Sequence, residues 1–358
     1  MPQPLAYQFS GLITAEAPIT VDYVGMEQRL PRTPHGQVFL NGGTLRGPLR
    51  KAGLTMLIRE LAKAHGKPLD GIFNRAEMYM LGEGVDITRQ VNSEEGGTHD
   101  PRAEAFLRAA NPFLSLFGRW KLAGYLEVGA LLTSRDNLIT AGQGVRHDQF
   151  EHSPQLAQYL DEAEHEALLT ELRSARESMV EIEALRAQVR ELRERSRNSD
   201  DRTVRQEIST QIKELEAQEK EIRKAREGSE ESIKHPIQGV EAIAPGSQLQ
   251  SRLRIIEGSA ESLGLLLHCL GEFSQRPRLG GHLATGFGAI SAEWEVLQRA
   301  AGQRRASVIG QVRLDDMGIE LDGEPLEAAW EAFAQALPQY DFTLSTRQEA
   351  RKQWKSRK

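Results

Sequence analysis

Between Pro154 and Gly228 the chain runs for 73 residues without a glycine or a proline. A stretch of that length lacking both residues that interrupt helices leaves few solutions other than continuous helix. Leu168, Leu172, Met179, Leu185, Val189 and Leu192 form one apolar stripe. The polar run Arg197-Asn198-Ser199-Asp200-Asp201 breaks it, and Val204, Ile208, Ile212, Leu215 and Ile222 form a second. Two long helices packed antiparallel, turning near residue 199, bury both stripes against each other. The spacing therefore predicts a helical hairpin over 151–235.

The flanks have a different texture. Residues 6–14 carry the apolar and aromatic content of a strand, and a loop-rich stretch follows to about residue 41. A helix is expected from about Thr44 to His65, where Leu54, Leu57, Ile58 and Leu61 recur at helical spacing. Short helices are expected at 101–107 and 112–122, and a buried strand at 126–133. Beyond the hairpin, 240–245 and 248–257 read as strands. Ser259 caps a helix to Phe273, with Glu261 in its first turn. Residues 289–296 form a further strand, 306–321 a hairpin, and 325–337 a closing helix. Strand, helix, strand, then strand, helix, strand is the ferredoxin-like (RRM-like) order. The expected class is α+β, with an antiparallel sheet and the helical hairpin inserted between its halves. The core is divided into a first part (1–150, with a loop-rich insertion), the hairpin (151–235), a second part (236–346) and a basic C-terminal tail (347–358).

Charge follows these boundaries. The net value is −6. Residues 151–235 hold 21 acidic and 15 basic side chains, and the remainder holds 30 of each. The acidity thus belongs to the hairpin, and the body can keep a local basic groove despite the overall sign. Residues 347–358 carry six basic groups against one acidic. One cysteine, Cys269, excludes an intrachain disulfide and a cysteine-rich zinc site. With no apolar run of spanning length and no signal-like start, a cytoplasmic location and no membrane partner are expected.

Two glycine-rich segments are candidates for chemistry. In Asn41-Gly42-Gly43-Thr44-Leu45-Arg46-Gly47-Pro48-Leu49-Arg50-Lys51, paired glycines bring main-chain amides close to whatever lies above them. The helix start behind them suits an anion, and Arg46 and Arg50 share a face four residues apart. No Lys-Ser or Lys-Thr completes a nucleotide-hydrolase loop. An ordinary helix start with solvated arginines is the competing reading. The second segment is Gly280-Gly281-His282-Leu283-Ala284-Thr285-Gly286-Phe287-Gly288. It leads into a strand and not a helix, so it is no dinucleotide fingerprint. Alone it reads first as a turn with a packed Phe287. With Arg276 and Arg278 before it, it also suits close approach of a polynucleotide backbone. The nine histidines show no metal-ligand spacing, and His268 and Cys269 sit in an apolar run that points to packing.

In this order the pieces resemble the RAMP superfamily of CRISPR proteins. Gly11–Ile19 is similar to the family's first strand and its exit. Asn41–Arg50 is similar to its Gly-Ser-Leu-x-Gly-x-x-Arg helix start, with Thr44 in the serine place. Ile243-Ala244-Pro245-Gly246-Ser247 is similar to its Ile-Pro-x-Gly-Ser turn, and Gly280–Gly288 to its C-terminal glycine-rich loop. The resemblance is strongest to the repeating backbone subunits, and among them to the type IV kind.

That resemblance implies a non-catalytic subunit that stacks with copies of itself along a CRISPR guide RNA. It implies contact with other effector subunits, and presentation of the guide to target DNA, less readily RNA. No cofactor or metal is implied. Arg46, Arg50 and Lys51 would neutralise phosphates. The amides of Gly42 and Gly43, flanked by Asn41 and Thr44, and those of Gly280, Gly281 and Gly286 would bond the backbone. Arg32, His35, Arg146, Arg278, His282 and Phe287 complete the expected RNA-binding set. The family's thumb would begin near Gly142–His147 and end near Ile237–Val240, so the hairpin would grow from its tip. Two other readings stay open. One is a RAMP endoribonuclease cleaving target RNA with Asp22, in the loop after the first strand. The other is a coiled-coil scaffold.

Overall fold

A computed structural model describes residues 5–21, 29–65, 71–87, 100–142, 144–146, 154–198, 202–226, 235–237 and 239–356. In chain order the elements are β1 (Leu5–Ala15), β2 (Val38–Leu40), α1 (Gly43–His65), α2 (Arg75–Gly82), α3 (Pro101–Ala110), α4 (Pro112–Phe117), β3 (Leu126–Val128), β4 (Leu131–Thr133), β5 (Leu138–Ala141) and β6 (Gly144–Arg146). They continue with α5 (Glu162–Asn198), α6 (Arg202–Arg226), β7 (His235–Ile237), β8 (Val240–Ile243), β9 (Gln248–Gly258), α7 (Ala260–Phe273), β10 (Ile290–Ala300), β11 (Ser307–Asp315), β12 (Gly318–Asp322), α8 (Glu324–Ala336) and α9 (Arg347–Ser356). The chain divides into two compact units, 1–141 with 240–358, and 142–239.

The larger unit is built on an eight-stranded sheet. Its order is β12-β11-β10-β1-β9-β4-β2, with β3 also on β9, and every pairing is antiparallel. Within it, β10, β1, β9 and the broken strand β3/β4 stand in the order fourth, first, third, second of a strand–helix–strand repeat. That is the ferredoxin-like topology. The expected single strand at 126–133 splits because the Gly129 amide donates to the Arg252 carbonyl (2.8 Å), which offsets the chain between its two halves.

Alternation decides the two faces. Tyr7, Phe9, Ile13 and Ala15 of β1, Leu249, Leu253 and Ile255 of β9, and Trp294 and Val296 of β10 point inward to the helices. There α7 packs against both α1 and α8. Inside this layer, the Trp294 indole donates to the Ser251 hydroxyl (2.6 Å), which satisfies its buried N–H. Ser259 caps α7 by accepting from the Ser262 amide. The segment expected as a basic tail forms α9 up to Ser356, which lies on α3. Ala350 is buried, Arg347 pairs with Glu104 at 2.8 Å, and Arg351 pairs with Asp100 at 3.4 Å.

The smaller unit holds the hairpin. Arg186 pairs with Glu219 (3.0 Å) and Arg193 with Glu216 (3.0 Å), so α6 descends as α5 ascends. Val189 and Ile208 are buried between them. The unit also holds the short pair β6–β7, in which Arg146 stands opposite His235.

Candidate nucleic-acid interface

Three of the four motif-bearing segments meet at the end of the sheet where β1 leaves it. Ala15 donates to the Ser247 carbonyl (2.9 Å), and Gly246 donates back to Ala15 (2.7 Å). Ile19 and Ile243 exchange main-chain bonds. Gly281 donates to Thr20 (2.8 Å) and Gly288 to Pro18 (2.8 Å). Residues 15–20 are thus stitched through the backbone to two segments that lie more than 200 residues further along the chain. Gly280 is required here. Its φ is +83°, and a Cβ would run into the Thr20 carbonyl oxygen.

The same bonds limit what the loop offers. The amides of Gly281, Thr285, Gly286 and Gly288 are all engaged internally. Arg278 turns inward and donates to the Leu283 carbonyl at 2.8 Å, holding the loop closed. Phe287 is buried beside Val240 and Ala242. Gly281, Phe287 and Arg278, expected to meet RNA, therefore build the loop, as the packed-turn reading of this segment has it. His282 and Gly286 remain on its exposed rim, with the His282 ring 5.7 Å from that of Phe287.

The start of α1 is the second correction. The Gly42 carbonyl accepts from the Leu45 and Arg46 amides, so Gly42 occupies the cap position. Only glycine fits, because a Cβ at Gly42 would strike the Val128 carbonyl. Asn41 and Gly43 are exposed, and Thr44 is half-buried. Among the described residues the Gly42 and Gly43 amides have no acceptor.

The two arginines behind this turn do not face outward together. Arg50 is 7% exposed. Its guanidinium donates to the Leu81, Met80 and Phe117 carbonyls. Burial and the neighbouring Arg46 charge pull its pKa down to about 10. Bringing a phosphate to it would mean breaking three bonds, one of them to the Leu81 carbonyl, which has no other donor among the described residues. Arg46 is half-buried and also donates to the Phe117 carbonyl, and burial lowers its pKa. Lys51 is exposed beside a groove with Met78 and Tyr79.

Of the remaining expected residues, Arg32 forms an ion pair with Glu241, which also accepts from the Leu30 amide (2.7 Å). His35 is exposed on a tight turn. The Arg146 side chain and Asp22 lie outside the described residues.

Sequence reasoning missed the solvent face of the sheet. Along β9 the side chains of Gln248, Gln250, Arg252 and Arg254 share that face, in steps of about 7 Å. Arg252 is exposed and has no partner among the described residues, while Arg254 reaches Glu127 at 4.0 Å. The signal was the period-two polarity of Gln-Leu-Gln-Ser-Arg-Leu-Arg-Ile over 248–255. No aromatic of β1, β9 or β10 lies on this face, since Tyr7, Phe9 and Trp294 all turn inward. Base stacking of the kind used by aromatic sheet faces has no platform on these three strands.

No family model and no curated protein matches the chain. Two solved structures are similar in outline. One is a chain of the Csm3–Csm4 subcomplex of a type III-A CRISPR-Cas interference complex, at 8% identity and a TM-score of 0.34, covering 94% of this chain and 98% of that one. The other is a chain of a type IV-B CRISPR complex, at 13% identity and a TM-score of 0.37, covering 84% and 93%. At such scores the α+β fold rests on the strand order and not on superposition.

Proposed function

We propose that the chain is a guide-RNA-binding subunit of a CRISPR effector complex, of the type IV kind. It stacks with copies of itself along the RNA, contacts other subunits, and presents the guide for pairing with a target, DNA ahead of RNA. It performs no chemistry. In such a complex sequence is read by base pairing, so the protein need only hold the backbone and expose the bases.

The observation that supports this best is the meeting of the β1 exit, the Pro245-Gly246-Ser247 turn and the Gly280–Gly288 loop at one end of an open sheet face. The phosphate contacts shift with the geometry. Arg252 on β9, together with Lys51, Asn41 and the Gly42–Gly43 amides at the start of α1, replaces the Arg46–Arg50 pair. These groups fix position without reading sequence.

The test is expression with a CRISPR array, purification, and sequencing of the bound RNA. Guide-length RNA is expected. Arg252→Glu and Lys51→Glu are each expected to lower the retained RNA, and each lost phosphate contact reduces the salt dependence by about 0.7 in log–log slope. Protein that purifies free of array-derived RNA ends the proposal. Target strands that are cut on incubation with divalent metal, and spared by Asp22→Ala, would replace it with the nuclease reading.

A further inference from the structure

The solvent face of the sheet carries a cleft of about 660 Å³ in the larger unit. Its floor is a cross-strand row. Leu12 of β1 and Leu132 of β4 both stand opposite Gln250 of β9, and Gln248 follows on the same face. One wall is the turn carrying His35, closed by Thr33 donating to Gln37 (2.8 Å) and Gly36 donating to Thr33 (2.8 Å). A second wall is the turn at Ser134–Asn137, where Ser134 accepts from the Asp136 amide (3.3 Å) and Asn137 donates to Thr133 (2.9 Å).

The chemistry of this cleft is unlike that of a phosphate seat. None of the residues lining it is a lysine or arginine, and Asp136 places a carboxylate at its edge. Leu12 is 38% exposed, so the floor offers aliphatic surface to a flat ring. The Gln248 and Gln250 amides and the His35 imidazole have no hydrogen-bond partner among the described residues. Each amide brings both donors and an acceptor. The volume falls in the range of small-molecule sites.

We propose that this cleft holds one unstacked nucleobase by its hydrogen-bonding edge. The glutamine amides pair with ring and carbonyl groups, and the Asp136 carboxylate accepts from an exocyclic amine. Cytosine, adenine and guanine carry that amine and uracil does not. The base comes either from a free nucleoside or from a bound strand, and only the second source rests on the RNA reading above.

The whole chain is titrated with cytidine and uridine by equilibrium dialysis, and with oligo(C) and oligo(U) RNA by fluorescence anisotropy. Wild type, Gln250→Leu and Asp136→Asn are compared. Both side chains are exposed, and thermal melts verify that the variants fold. Gln250→Leu is expected to weaken binding about tenfold, and Asp136→Asn to erase the preference for cytosine. That pattern with oligonucleotides alone assigns the base to a strand. The pattern with nucleosides alone supports the cleft and counts against the RNA reading. Oligonucleotide binding that neither variant changes overturns the cleft and leaves the RNA reading standing. No binding of either probe overturns both.

Discussion

The Nε of Arg50 donates to the carbonyl oxygen of Leu81, the penultimate residue of α2. A side chain that in sequence belongs to a glycine-rich, phosphate-like turn is thereby an interior tie between α1, α2 and the end of α4. Arg50→Glu would press a carboxylate against three carbonyl oxygens in a buried site, and no soluble folded protein is expected from it. Arg50→Met leaves the Leu81 carbonyl unpaired, at about 1–3 kcal/mol, while Met80 keeps the Gly84 amide and Phe117 keeps Arg46. Urea denaturation measures this. The exposed neighbour is the control, since Lys51→Glu is expected to change stability by about 0.5 kcal/mol or less. A folded Arg50→Glu protein that merely loses RNA would restore a phosphate role for this arginine.

Ser251 and Trp294 make a second test of the interior. Ser251→Ala strands the buried indole N–H and is expected to cost about 1–3 kcal/mol. Trp294→Ala leaves a large cavity at the sheet centre and is expected to cost about 3–5 kcal/mol. Both are read from shifts in the denaturation midpoint. Equal, near-zero shifts would mean that the inner face of β9 and β10 is not the packed layer described.

Asp341 sets an acid limb. Burial works against its charge, but donors from Thr343, Leu344 and Gln353 outweigh burial and hold its pKa below the usual carboxylate value. A carboxyl depressed on folding contributes stability that is complete above its unfolded pKa and is lost as pH falls through the folded one. Stability is therefore expected to decline below the ordinary carboxylate range. Asp341→Asn should lower stability at neutral pH and flatten that limb, as followed by thermal melts across pH.

The helical hairpin forms its own compact unit. Its cross-helix ion pairs are exposed and contribute little, so Val189, Ile208 and the stripes around them carry its stability. Replacing residues 156–231 by a short glycine linker should leave the melting of the larger unit within a few degrees. RNA retention is expected to persist. Loss of the larger unit's cooperative melt on this deletion would show that the hairpin is part of its core.

Several features were legible one segment at a time. The alternation of β1 and β9, the Ser259 cap, and the breakless stripes of α5 and α6 follow from local periodicity, and each element lies within a few residues of its expected range. The site was less legible. Arg46 and Arg50 do share a helix face, as i,i+4 spacing requires, but spacing carries no information on what lies across from that face. Gly280–Gly288 looked like a source of free amides. Its amides are used instead by Pro18, Thr20 and each other.

What the amino-acid order determined by itself is the long strands and helices, such as β1, β9, α1, α5, α6 and α7, and the inward or outward parity of β1 and β9, because those depend on neighbours two to four residues away. The tertiary structure alone decided that Arg50 faces Leu81, that Arg347 closes on Glu104, and that Gln250 lies between Leu12 and Leu132 as the floor of a cleft. Those partners stand 31 to 243 residues apart. Only the antiparallel sheet order and the packing of helices on one of its faces bring them together.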